Sequence, residues 1–297
     1  MSSRARPSEG VLGKLRSFWT VFSSDRAAVV GLAIFLAILF IAIFADLIAP
    51  YSPYERVGRP YERPSLKHLL GTNDIGQDIF SELIYGARAS LFIGFLAAIT
   101  GTAIGTLVGI AAGYYGGIVD EVLMRIVDIW LSIPSLLFAI FLAAVILRTG
   151  GIPMFYSVIF AIALTSWPPV ARLVRSATLS IKERPYIESA VALGASPSRI
   201  MMKHILPNVA PLVLVEVVVR TAIAMLTEAT LSFLGLGDPA LKSWGTILHF
   251  AMVKNALILG LWWWFLPPGI MIALTVLSVV LIGRGLEAYF NPRLRRQ

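Results

Sequence analysis

Residues 27–49 read AAVVGLAIFLAILFIAIFADLIA, and this stretch decides the class of fold. It carries one acid, Asp46, near its end, and no base. A hydrocarbon core about 30 Å thick takes about 20 apolar residues of helix, so the stretch predicts a membrane-spanning helix. Working outward, five further runs share this character: 89–113, 122–147, 152–170, 210–236 and 263–284. Charges fall inside the third and fifth of the six runs, and Pro168-Pro169 marks a short end for the fourth. The expectation is an all-α, polytopic membrane protein with six transmembrane helices.

Composition points the same way. Of 297 residues, 57% are hydrophobic and 14% charged, with a mean hydropathy of +0.80. A soluble domain carries about 25% charged residues, so too little charge is present to clothe a soluble surface. There is also too much apolar mass for a disordered chain. The absence of cysteine excludes disulfides, zinc–thiolate sites, iron–sulfur clusters and thiol nucleophiles. His68, His204 and His249 are too scattered along the chain for a histidine-rich metal site. The net charge of +8 sits mostly at the ends of apolar runs. That placement reads as membrane orientation and not as nucleic-acid binding.

With a cytoplasmic N-terminus, the inside segments hold 16 Lys and Arg and the outside segments 8, with Arg220 inside a span. Both termini are therefore expected in the cytoplasm. Residues 1–26 are not expected to be a cleavable signal peptide, because the apolar run that follows is too long and no small-residue cleavage pattern follows it. Leu12, Leu15, Trp19 and Phe22 share one helical face and predict an interfacial helix on the membrane surface. The segment 50–88 is rich in Pro, Tyr and charge and is expected to be an ordered external loop. Residues 89–284 form the core transmembrane domain, with a cytoplasmic loop at 182–208 and a cytoplasmic tail at 285–297. Trp262-Trp263-Trp264 fits an aromatic belt at the outer interface.

Gly101, Gly105, Gly109 and Gly113 recur every four residues and give the second span one bare ridge. In lipid, close backbone approach through small residues holds helices together, so a neighbour is expected against this ridge. A small pore-lining face is the other reading. In the fifth span, Glu216 and Arg220 are spaced i, i+4 with the acid first, and Glu228 lies eight residues further on. Ionisable groups at membrane depth are costly. These three are read either as a structural ion pair against another helix or as a polar lining of a translocation path. Asp120, Glu121, Arg125 and Asp128 read as a charge network at the cytoplasmic mouth of the third span.

Residues 182–208 read KERPYIESAVALGASPSRIMMKHILPN. They are too polar to span and carry helix punctuation. Pro185 suits a first helical position and Gly194 a helix end. Ile187, Ala190, Val191 and Gly194 share a face. Ser196 and Pro197 suit the N-cap and first position of a second short helix, whose apolar face holds Ile200, Met201, His204 and Ile205. Pro207 is expected to stop it. Two short helices joined at a glycine bend make a knob, which either docks a partner or tethers two spans.

Glu188-Ser189-Ala190, Gly194 and Leu206-Pro207 resemble the EAA signature of prokaryotic ABC importer permeases. Ser189 stands in place of the middle alanine and His204 where isoleucine is usual. The His-Ile-Leu-Pro-Asn form resembles the dipeptide/oligopeptide branch. So do Asp25-Arg26 with the first span, HLLGTNDIGQDIFSELIYGARASL (68–91), AGYYGGIVDEVLMRIVDIWLSIPSLL (112–137), SFLGLGDPALKSWGTIL (232–248) and GRGLEAYFNPRLR (283–295). Gln77 departs from a common arginine, and Arg284 and Glu287 have exchanged charge relative to the usual pattern.

The resemblance implies a type I ABC importer permease-like fold in the cell (inner) membrane. The partners it implies are a second homologous permease subunit, two cytoplasmic ATPase subunits that bind the ATP, an external solute-binding protein and the lipid bilayer, with no nucleic acid. Segment 182–208 would be the coupling helix. Glu188, Ser189, Ala190, Gly194, Ala195, Ser196, Pro197, Arg199 and Pro207 would make the ATPase contact. The chain itself is expected to be non-catalytic and without a cofactor. Gly10, Gly13 and Lys14 lack P-loop spacing, and neither His-Glu-x-x-His nor Gly-x-Ser-x-Gly occurs. The implied substrate is a di- or oligopeptide, with nickel or an oligosaccharide as alternatives. A secondary, proton-coupled transporter using Glu216, Arg220 and Glu228 is the competing reading, and it predicts internal repeats, of which no clear one is seen.

Overall fold

The computed structural model describes residue 13, residues 19–151 and residues 153–290. Leu12 and Leu15 of the expected interfacial helix, and residues 291–297 of the tail, lie outside the described residues. Trp19 and Phe22 stack at 6.2 Å, but Phe22 is buried while Trp19 is half exposed.

Asp25 caps the first helix, α1 (Arg26–Ile43), by accepting from the backbone N–H of Ala27 at 2.9 Å. A short helix, α2 (Ala45–Ile48), follows. The expected loop 50–88 ends early, because Asp78 Oδ2 accepts from the Ser81 N–H at 2.8 Å and starts α3 (Ile79–Tyr115) there. At 37 residues, α3 is about 55 Å long and projects beyond a bilayer core. Next come α4 (Gly117–Leu131), α5 (Ser135–Thr149) and α6 (Met154–Lys182). Two short helices, α7 (Pro185–Ala192) and α8 (Pro197–Ile200), lead through a π-helical turn at Met201–Ile205 into α9 (Leu206–Phe233). A short α10 (Trp244–Val253) precedes α11 (Trp262–Phe290). Among the described residues, five helices are long and apolar enough to cross a membrane, or six if the bent α4–α5 pair is one broken span.

That break corrects the expectation of one continuous span over 122–147. The chain bends by 92° between α4 and α5. Pro134 stands at the bend, and a residue ahead of proline is pushed out of helical geometry. Pro168 and Pro169, by contrast, end nothing, and α6 runs on to Lys182. The carbonyl of Leu164, which a residue 168 N–H would otherwise satisfy, accepts instead from the Trp130 indole at 2.8 Å. Pro207 does not stop its helix either. It lies in the first turn of α9, where a missing N–H costs little. The π-helical turn carries the chain from α8 into α9.

The glycine ridge of α3 lies against α6 of the same chain. Gly101, Gly105, Gly109 and Gly113 are all buried. A Cβ on Gly109 would come within 2.6 Å of the Ala171 carbonyl, and one on Gly113 within 2.7 Å of Thr178 Cβ. A second core joins α1, α3, α10 and α11 around the fully buried Trp244 and Trp264. Trp263 is buried there as well, so of the tryptophan triplet Trp262 alone is half exposed. The triplet is therefore mainly core and not belt.

Candidate functional site

The knob of residues 183–205 sits where α6 ends and α9 begins. Pro185 occupies the first turn of α7, and the Ser196 hydroxyl accepts from the Arg199 N–H at 3.4 Å to open α8. Between them Gly194 turns at φ 78°, a left-handed conformation in open space that suits glycine. Ile187, Ile200 and Ile205 are buried against Ile110 of α3, Val170, Val174 and Ile181 of α6, and Val209 of α9. The knob is thus part of one apolar core with the ends of three long helices. Lys182 adds a strap by donating to the Tyr114 carbonyl at 2.7 Å.

The outward face of the knob is different. Glu188, Ser189, Gly194, Ser196, Pro197, Arg199 and Pro207 are exposed, and Ala190 and Ala195 are partly so. Leu193 is 87% exposed, an apolar side chain at the tip of the elbow. Glu188 makes no ion pair among the described residues. Beside the knob lies a cleft of about 780 Å³, which Tyr115, Glu188, Val191 and Pro197 help to line.

Two ion pairs tie α4 to α6 near the same end. Arg175 grips Asp120 with two nitrogens, and Arg172 meets Asp128 at 2.5 Å. The partners of Asp120 and Asp128 are therefore arginines of α6, not Glu121 or Arg125 of their own cluster. Sequence spacing alone could not reveal this cross-helix pairing.

The three charges of the fifth span do not form one group. Arg220 donates from Nε to Glu216 Oε2 at 3.0 Å. Arg220 also lines a cavity of about 320 Å³ at the α4–α5 bend, between the middles of α6 and α9. Glu228 lies elsewhere, fully buried and bonded to the Ser232 hydroxyl at 2.8 Å.

At the end of the bundle opposite the knob, the sequence reading missed a buried polar cluster. Lys242 donates to Glu82 Oε1 at 2.6 Å and to Gln77 Oε1 at 2.8 Å, and Asn73 donates to the same two side chains. His68 is buried against Asp78 at 3.0 Å. These bonds fasten the segment ahead of α3 to the turn ahead of α10. Asp74 pairs with Lys254 at 2.9 Å and raises that ammonium above the usual lysine range. Burial pushes the Tyr54 phenol up. No group of three His, Asp or Glu side chains among the described residues is placed to hold a metal ion.

A bent span, a tight glycine seam and a stiff exposed knob fit a transport subunit, and comparison with known proteins decides the family. Residues 105–296 match the family described as "Binding-protein-dependent transport system inner membrane component". The chain belongs to this family of ABC importer permeases. Residues 14–67 match the "N-terminal TM domain of oligopeptide transport permease C".

Relatives of the permease align nearly end to end. It is 38% identical to the oligopeptide transport system permease protein OppC of Bacillus subtilis, over 99% of this chain and 96% of that one. It is 36% identical to the dipeptide transport system permease protein DppC of Haemophilus influenzae, over 95% and 96%. It is 37% identical to the glutathione transport system permease protein GsiD of Pectobacterium atrosepticum, over 94% and 91%. The solved structure of an amino acid ABC transporter superposes with a TM-score of 0.49 at 20% identity, covering 72% of this chain and 94% of that one. The permease is thus a multi-pass inner-membrane protein whose family works with ATPase and binding-protein partners.

Proposed function

We propose that the permease forms half of the translocation path of an ATP-driven peptide importer and works by alternating access. Its partners in this reading are a second homologous permease, two ATPases on the cytoplasmic side and a binding protein outside. ATP is bound and hydrolysed by the ATPases, and the permease carries out no chemistry of its own. Both termini and the knob lie in the cytoplasm, in keeping with the 16-to-8 excess of Lys and Arg on that side. The names of the OppC and DppC relatives support peptides as the substrate class.

One observation carries the mechanism: the knob is exposed on its outer face yet buried by Ile187, Ile200 and Ile205 in the core that unites α3, α6 and α9. A part joined so tightly to three helices moves with them. When ATP draws the two ATPases together, a knob seated in each is pushed, and the push turns α6 and α9. Between those helices lies the cavity that Arg220 lines. The α4–α5 bend opens into the same cavity, so rotation there changes the side on which it is accessible.

Reconstitution into vesicles with and without the ATPases tests this reading. Peptide uptake that requires the ATPases, ATP and the binding protein is the expected result. Uptake by the permease alone under a proton gradient would refute it.

A further inference from the structure

The cavity at the α4–α5 bend has a chemistry that the transport role alone does not dictate. Its volume of about 320 Å³ falls at the lower end of the range of about 300–1,000 Å³ typical of small-molecule pockets. Much of the lining is apolar, including Ile162, Ile223 and Phe138. The polar groups fall into two kinds. Arg220 is the one cation among the lining residues. Its Nε is spent on Glu216, and it makes no other hydrogen bond among the described residues, so the paired terminal nitrogens are available as donors. That fork matches a carboxylate in bidentate geometry.

Hydroxyls are the second kind: Ser135 stands at the bend, and Thr165, Ser166 and Thr227 stand on α6 and α9 with their protons committed. Thr165 donates to the Ala161 and Ile162 carbonyls, Ser166 to Ala163 and Thr227 to Ile223. Each hydroxyl has one proton, and these protons are already used within helices. The Ser166 hydroxyl lies against Gly101 at the α3–α6 seam, so Thr165 and Thr227 are the two that offer the cavity lone pairs, which call for N–H donors. A ligand with a carboxylate at one end and N–H groups at the other satisfies both kinds.

We infer that this cavity binds the main chain of a peptide, with Arg220 holding the C-terminal carboxylate and Thr165 and Thr227 accepting from its N–H groups. The apolar remainder accommodates side chains without selecting among them. This inference rests on the importer reading and adds a specificity-determining residue to it.

The permease pair with its ATPases, purified without the binding protein, is titrated with Ala-Ala, Ala-Ala amide and N-acetyl-Ala-Ala. Ala-Ala is expected to bind about tenfold or more tightly than its amide, the loss of one charge-assisted interaction. The double variant Glu216→Gln/Arg220→Gln leaves no charge unpaired and is expected to bind the two equally. Thr227→Val should lower affinity for Ala-Ala. Equal binding of acid and amide by the unaltered complex, or no saturable binding, overturns the assignment, and neither outcome depends on a variant folding. Uptake by the complete importer is measured in parallel. An importer that takes up no peptide refutes the importer reading, whereas peptide uptake without carboxylate preference refutes the Arg220 assignment alone.

Discussion

Replacing Gly109 with alanine adds one methyl group where α3 lies directly against the backbone of α6. The new Cβ would lie 2.6 Å from the Ala171 carbonyl and 2.8 Å from Val174 Cβ, whereas ordinary contact begins at 3.4 Å. Both neighbours are fixed to α6, one as backbone and the other at the root of a branched side chain. Relief therefore requires α3 and α6 to part by about 0.8 Å. A gap of that size forfeits about a quarter to a half of the dispersion energy of each contact along the seam. Overpacking of this kind costs about 1–3 kcal/mol, on the order of 5 °C in melting temperature. Gly269→Ala is the internal control, because its Cβ would meet nothing within 4 Å. Gly101→Ala should fall between the two, since the nearest atom there is the Ser166 hydroxyl, which can rotate. Thermal unfolding of the three purified variants in detergent measures the order. Equal melting temperatures for Gly109→Ala and Gly269→Ala would refute the packing argument.

Further outcomes follow from the same contacts. Lys242→Met strips Glu82, 3% exposed, of its cation and leaves Asn73 as its partner. Breaking a buried pair this way costs about 3–5 kcal/mol, and adding Glu82→Gln should restore most of the lost thermal stability. Failure of the double variant to recover would show that Lys242 is not held by charge. At the knob, Glu188→Lys and Gly194→Trp should leave the protein inserted and assembled but separate ATP hydrolysis from uptake. Full transport by both variants, measured in vesicles, would remove those residues from the coupling contact.

Much of this architecture is legible in the residues. Runs such as 27–49 read as helix because backbone groups in lipid must be satisfied internally, although the chain turns at Phe44 between α1 and α2. The punctuation of the knob is equally plain: Pro185, Gly194, Ser196 and Pro197 each act through local backbone geometry. Proline inside or beside a span is where local reading fails. Pro134 breaks a helix that hydropathy joins, while Pro168, Pro169 and Pro207 are carried within helices. Rescue of the Leu164 carbonyl by Trp130, 34 residues away, is a tertiary event that no local window contains. The site shows the same limit. The i, i+4 pairing of Glu216 with Arg220 is visible in the sequence, but the separation of Glu228 from it is not. Lys242 lies 160 residues from Glu82, so their pairing required the fold.

The absence of cysteine makes the central claim open to direct test. A single cysteine at Leu193, 87% exposed at the elbow, carries a short thiol-reactive photocrosslinker, and a cysteine at Ile258, 83% exposed at the other end of the bundle, serves as control. Membranes containing the whole importer are illuminated, and the adducts are identified by mass. The expected result is an adduct with the ATPase from position 193 and none from position 258. An active importer in which position 193 never captures the ATPase would contradict the central claim.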